Sequence, residues 1–174
     1  MEYLHLSVTR TWGNRTLPVS SCQWKALRTE ILLRDNYTCA SCGYRSQTSP
    51  GRAMIIDHKD GNASNNDPLN LRVHCPPCEA IRHCGFSGIK GRIVIGTSDM
   101  DQVEIIRKTR EIFQSSTAIP LPVLVDPSII PVEMGPVDFA NILLETEWEE
   151  LPEEYRRFRG FFTKRASRLF LDTM

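Results

Sequence analysis

Two Cys-x-x-Cys pairs stand on either side of an Asp-His dipeptide. Cys39 and Cys42 form the first pair, in YTCASCGY, and Cys75 and Cys78 form the second, in VHCPPCEA. Asp57 and His58 lie between them, in IIDHKDG. A structural Zn²⁺ takes four tetrahedral ligands, and two Cys-x-x-Cys knuckles are a common way to supply four thiolates. The competing reading of the same residues is four buried free thiols. Closing a zinc site would pin the Asp57-His58 segment against the chain that follows Cys78, placing an acid–base pair inside a metal-stapled frame. Asn70 comes next, then Glu79, and His83 four positions after it. If residues 77–84 are helical, Glu79 and His83 share one face, because i and i+4 are neighbours. Asp57, at a strand end, completes a site of two oxygens and one nitrogen. That donor set suits Mg²⁺, Mn²⁺ or Zn²⁺, with positions left for water and phosphate. Against this stand a locally hydrogen-bonded loop pair for Asp57-His58 and a solvated helix face for Glu79 and His83. His5 and His74 have no supporting partners in the sequence and read as structural. Cys84 reads as a buried apolar thiol, and Cys22 as lying outside the metal sites.

These residues need elements to position them. The first ~20 residues read as extended chain, with a boundary uncertain by a few positions. Apolar spacing predicts a helix from Gln23 to Arg34, with Trp24, Leu27, Ile31 and Leu32 on its buried face. Asp35-Asn36 ends it and delivers the chain to the first knuckle. Ala53 to Ile56 predicts a short buried strand, Lys59 to Pro68 a polar loop, and Leu69 to Val73 a second strand. From Pro76 a helix is expected, ended by Gly85. Arg92 to Ile95 reads as another strand. Ser98 is the expected cap of a helix reaching about Gln114, with Val103, Ile106, Thr109, Ile112 and Phe113 buried. The stretch from Ser115 to Pro136 carries Pro120, Pro122, Pro127, Pro131 and Pro136 and reads as a linker or arm. Two helices should follow, from Val137 to Glu145 and from Pro152 to Phe170.

Composition narrows the class. The chain is 174 residues long, 41% hydrophobic and 24% charged, as expected of a soluble globular protein. No apolar run approaches the ~18–20 residues that span a bilayer, and MEYLHLSVTRTWGNR is no secretory signal. No membrane insertion is expected, and the localisation expected is cytoplasmic, where paired Cys-x-x-Cys spacing reads as zinc before disulfide. Residues 1–90 carry 11 Lys and Arg against 7 Asp and Glu, whereas residues 91–174 carry 10 against 14. The cysteine-bearing half could face phosphate, although ordinary scatter explains the imbalance equally well.

The segment WKALRTEILLRDNYTCASCG, then IIDHKDG, then NLRVHCPPCEAIRH, about residues 24–83, resembles the zinc-bearing branch of the HNH endonucleases. These are also called ββα-metal or His-Me finger nucleases. The resemblance implies His58 as general base and Asn70 as the residue that braces the catalytic loop. It implies Asp57, Glu79 and His83 as ligands of a catalytic metal, and Cys39, Cys42, Cys75 and Cys78 as ligands of a structural zinc. The position after the second Cys-x-x-Cys is usually His or Asn in that family. Glu79 stands there instead, which moves the expected metal from Zn²⁺ toward Mg²⁺ or Mn²⁺. A longer and looser pattern is similar to the IcmJ/DotN subunits of type IVB secretion coupling complexes. Its pieces are ILLRDNYTCASCGY, DGNASNN, GRIVIGTSDMDQVEII and LPEEYRRFRGFF. That likeness implies an HNH-like zinc scaffold whose partners are a coupling ATPase or other secretion-complex subunits.

The fold expected is α+β: a zinc-stapled ββα-metal core with flanking helices and a helical C-terminal tail. Its parts are an extended segment (1–22), an HNH-like zinc domain (23–115), a proline-rich linker or arm (116–136) and a C-terminal helical segment (137–174). The function expected is metal-dependent hydrolysis of DNA phosphodiester bonds. The alternative is the non-catalytic scaffold.

Overall fold

The computed structural model describes residues 1–9, 15–46, 53–115 and 130–171. The fold is mixed α+β, with small sheets, helices and a buried four-cysteine cluster, consistent with a zinc-stapled ββα core. The described residues gather into two compact units. One holds Met1–Glu2 and the chain from Thr9 to Glu79, and the other holds Tyr3–Val8 and the chain from Ala80 to Leu171. No helix among the described residues is long and apolar enough to cross a membrane.

The first unit begins its regular structure with helix α1 (Cys22–Arg34). Ser21 caps it, its side chain accepting from the Trp24 amide at 3.1 Å. Trp24, Ile31 and Leu32 are buried, following the apolar spacing. After Asp35, both Asn36 (φ 50°) and Tyr37 (φ 53°) are left-handed. Asn tolerates that region and Tyr does so at a cost of ~1–2 kcal/mol, so the reversal into the first knuckle is held by its surroundings. Arg34 supplies part of that hold. Its Nη1 donates to the Pro68 carbonyl at 2.6 Å and its Nη2 to the Leu71 carbonyl at 2.8 Å.

Strands β1 (Ile55–His58) and β2 (Leu71–His74) pair antiparallel, with Asp57 opposite Arg72 and His58 opposite Leu71. Both strands sit about two residues later than expected. Asp57 and His58 therefore belong to the ladder, and a 3₁₀ turn at Pro68–Asn70, capped by the Asp67 carboxylate, leads into β2. Helix α2 (Pro76–Arg82) follows.

In the second unit the expected stop at Gly85 is corrected. The helix breaks at His83 (φ −119°, ψ 54°) and resumes as α3 (Cys84–Ile89), straight through Gly85 and Gly88. Strand β3 (Ile93–Thr97) comes next, then α4 (Gln102–Gln114). Asp101 caps α4, accepting from the Glu104 amide at 2.7 Å, whereas Ser98 accepts from Met100 in a turn before it. The buried stripe is Gln102, Ile105, Ile106, Thr109, Arg110 and Phe113, so the expected stripe was rotated. Val103 and Ile112 are only half-buried. The expected linker lies mostly outside the described residues, but its end forms β4 (Ile130–Pro131) against β3.

Helix α5 (Pro136–Glu145) explains why the two glycines do not end α3. A Cβ at Gly85 would lie 2.8 Å from that of Ala140, and one at Gly88 would lie 2.7 Å from that of Pro136. The absent side chains let two helices touch. The single helix expected from Pro152 to Phe170 is also corrected. In its place stand α6 (Glu153–Arg156), strand β5 (Phe158–Phe162) and α7 (Ser167–Phe170). β5 pairs with β3, giving a sheet of order β4-β3-β5. Aromatic residues favour a pleated, half-buried surface, and pairing with β3 overrides the expected helix. Gly160 is required: a Cβ there would meet Ile81 Cδ1 at 2.6 Å. The buried Gln102 amide grips the same glycine, donating to its carbonyl at 2.9 Å and accepting from its amide at 2.7 Å. Leu4 and Leu6 are buried in this unit as well. Ser7 brings them in, donating from its amide to Ile81 and accepting from Cys84 at its carbonyl.

Candidate metal centres

Cys39, Cys42, Cys75 and Cys78 are all buried, and their sulfur atoms lie within 4.8 Å of one another. Cys42 Sγ and Cys75 Sγ are 3.5 Å apart. A disulfide would need about 2.05 Å, whereas four sulfurs at about 2.3 Å from a tetrahedral Zn²⁺ sit ~3.8 Å apart. The cluster fits zinc. Backbone bonds shape the two knuckles: Gly43 N to Cys39 O at 3.0 Å, and Glu79 N to Cys75 O at 3.0 Å. Gly43 takes φ 74°, a conformation that suits glycine. Proton sharing among the four thiols is uneven. Hydrogen bonds from Cys42, Cys75 and Cys78 drive the Cys39 thiol far down, whereas burial, with Cys39 beside it, pushes Cys75 well up. Four thiolates this close repel one another strongly, and a divalent cation that replaces the protons relieves the repulsion. Cys84 is buried elsewhere, its thiol pushed up to about 12 by burial, and Cys22 is exposed.

The second group is Asp57 and Glu79, brought together in the first unit on either side of His74; His83, the third ligand expected, belongs to the second unit. Asp57 is buried, while Glu79 and His83 are half-buried. Neighbouring residues on a strand leave on opposite faces, so Asp57 turns toward the side of Arg72 and His74. Arg72 fixes the carboxylate, with Nε and Nη2 each 2.8 Å from Asp57 Oδ2, and it reaches Glu2 with Nη1. Burial works against the Arg72 charge, but Asp57 and Glu2 outweigh it and hold the guanidinium above its usual value. The two carboxylates fit a divalent cation.

His58, last in β1, leaves on the other face, its ring stacked on Trp24 at 6.2 Å between centroids. His58 Nε2 lies 3.2 Å from Asn66 Oδ1. The Asn66 amide nitrogen donates to Thr16 Oγ1 at 2.8 Å, which orients the amide oxygen toward His58. An amide oxygen only accepts, so His58 carries its proton on Nε2 and its lone pair on Nδ1. Sequence reasoning missed Asn66, one of several asparagines in a polar loop. Asn70 lies in the same loop and grips it, donating to Asp60 Oδ1 at 3.0 Å and to the Asn65 carbonyl at 2.9 Å. Its Oδ1 accepts from the Asp60 amide at 3.2 Å.

His74, read from the sequence as structural and without partners, has polar neighbours in the fold. It is fully buried, with Nε2 3.1 Å from Ser41 Oγ and Nδ1 facing Asp57 and Glu79. The signal was available: His74 is two residues from Arg72 on β2, and pairing Arg72 with Asp57 puts all three on one face. His5, by contrast, stacks on Trp148 at 4.3 Å.

No family model matches the chain. A stretch of 45 residues is 40% identical to the H-N-H endonuclease F-TflIV of Escherichia phage T5. The match covers 26% of this chain and about a fifth (20%) of that protein's length. It supports an HNH family for this stretch. The likeness to secretion-complex subunits, and the partners it implied, find no support in the comparisons.

Proposed function

We propose that this protein is a metal-dependent endonuclease of the HNH type that hydrolyses DNA phosphodiester bonds. The observation that carries the reading is the pair of carboxylates, Asp57 and Glu79, in the same unit as a buried four-cysteine cluster. The partial likeness to an H-N-H endonuclease supports it. Asp57, Glu79 and His83 would hold Mg²⁺ or Mn²⁺. When bound, such a cation polarises a phosphoryl oxygen and stabilises the charge on the leaving oxygen. His58 takes a proton from the attacking water at Nδ1, with its tautomer set by Asn66. The nucleophile and the leaving group of an in-line displacement lie on opposite sides of phosphorus. A base on one face of β1 and a cation site on the other suit that arrangement. Asn70 keeps the loop between β1 and β2 in the shape that orients Asn66. The cysteine cluster positions the frame and takes no part in the chemistry.

The test is nicking of plasmid DNA by zinc-loaded protein as Mg²⁺, Mn²⁺, Ni²⁺ or additional Zn²⁺ is titrated in. Metal-dependent cleavage that disappears in His58→Ala is the expected result. No cleavage of single- or double-stranded DNA under any of these metals would overturn the reading.

A further inference from the structure

We infer that His74 is a further ligand of the cation held by Asp57 and Glu79, coordinating through Nδ1, and that it shifts the site's preference toward transition metals. The inference rests on the reading that Asp57 and Glu79 hold a cation. His74 has no solvent exposure, and among the described residues the buried Nδ1 has no hydrogen-bond partner. A buried polar nitrogen left in this state costs ~1–3 kcal/mol, so its surroundings call for an explanation.

Those surroundings are two carboxylates. Nδ1 lies 3.6 Å from Asp57 Oδ2 and 3.7 Å from Glu79 Oε2. Both distances are too long for an N–H···O bond, which spans about 2.7–3.2 Å. They are close to the edge of a coordination polyhedron: ligands about 2.1 Å from a common cation stand ~3.0–3.4 Å apart.

The other ring nitrogen has a partner able to accept its proton. Nε2 meets Ser41 Oγ at 3.1 Å, and Ser41 is itself buried between Cys39 and Cys42. A metal-binding imidazole commonly donates its second N–H to such a partner, which fixes the ring and leaves the opposite lone pair for the metal. With Nε2–H on Ser41, the Nδ1 lone pair points at two carboxylate oxygens. A cation among the three turns that repulsion into coordination. Arg72 holds Asp57 Oδ2 from its own side, which keeps the carboxylate from rotating away. Carboxylates suit Mg²⁺ or Ca²⁺, whereas each imidazole nitrogen added to the proposed set moves the preference toward Mn²⁺, Co²⁺, Ni²⁺ and Zn²⁺.

The test uses the full chain with the cysteine cluster loaded with zinc. Co²⁺ is titrated in and followed by calorimetry and by its visible spectrum, in which a nitrogen and oxygen site is distinct from a thiolate site. Wild type should bind one Co²⁺ beyond the zinc, and His74→Ala should weaken that binding by roughly 100-fold or more, while Ser41→Ala, which removes only the orienting partner, should weaken it by ~10-fold. Zinc content and circular dichroism report whether the variants fold. If His74→Ala does not fold, wild-type protein decides: the ¹⁵N resonance of His74 Nδ1 should move on adding diamagnetic Zn²⁺ to the second site. Equal Co²⁺ affinity in wild type and folded His74→Ala, or an unmoved Nδ1 resonance, would overturn the inference while leaving the cation site standing. Absence of any metal beyond the first zinc would sink the cation site itself.

Discussion

The two clusters differ in donor chemistry and in access. Four thiols from two knuckles are buried on every side. Two carboxylates sit with Asp57 buried and Glu79 half-buried. A closed set of four soft ligands satisfies a metal and leaves no place for substrate. An incomplete set of harder donors leaves coordination positions for water and phosphate. On the proposed reading the labour is divided: the thiols fix the geometry of the chain, and the carboxylates serve the chemistry.

The sharpest way to break that comparison is to remove a thiol. Cys75→Ser should abolish tight zinc binding, worth ~10–16 kcal/mol in small structural sites, and unfold the frame around it. Metal analysis and circular dichroism of purified protein check this. Zinc well below one equivalent in folded wild type would show that the cluster is not a metal site. Next in size is His58→Ala. A lost general base costs ~10²–10⁴-fold in rate, with zinc content and DNA affinity held near wild type, because phosphate contacts dominate that affinity. Single-turnover nicking beside a DNA-binding titration reads both quantities. A cleavage rate equal to wild type would remove His58 from the chemistry.

Glu79→Ala should act on the open cluster alone. We expect a rise of ~10–100-fold in the Mn²⁺ concentration needed for cleavage, partly overcome by adding Mn²⁺, since a ligand and not the base is missing. Loss of the structural zinc in this variant would mean that the clusters are not separable. The smallest effect is expected for Asn66→Ala, about 10-fold in rate, because His58 keeps its ring but loses the partner that fixes its tautomer. Asn66→Asp retains an acceptor and should recover most of the loss, and ¹⁵N spectra of His58 should show mixed tautomers only in the alanine variant. An unchanged tautomer in Asn66→Ala would show that another group orients the ring.

Local signals read well because they depend on neighbouring residues. Helix α1 follows from the spacing of Trp24, Ile31 and Leu32. The cysteine cluster follows from pair spacing, since each knuckle is a local turn. Signals that depend on distant residues read poorly. Gly85 looks like a helix stop until Ala140 is seen against it. A helix was expected from Pro152 to Phe170, but Phe158 to Phe162 pairs with β3 instead. Within the candidate site, Asp57, Glu79 and His83 were named from spacing and resemblance. His74 was not, because its part depends on the register of β2 against β1 and on a serine between two distant cysteines.

The chain path also carries a consequence for synthesis. Leu4 and Leu6 belong to the second unit, yet the contact between Ser7 and Arg82 joins residues 75 positions apart. At ~5–20 residues per second, a ribosome needs roughly 4–15 s to deliver that partner. During this interval two core leucines wait without a core. The last cysteine of the cluster, Cys78, emerges just before Ile81, so metal capture can precede the closure. Cys42 and Cys75 are 33 positions apart, and joining them cuts the open loop to about half, easing closure by ~0.6 kcal/mol. The gain in energy is small, but the gain in sequence of events is not. Zinc supply during translation should therefore set how long Leu4 and Leu6 stay exposed to aggregation, so a shortage would appear first as poor yield and only later as lost activity.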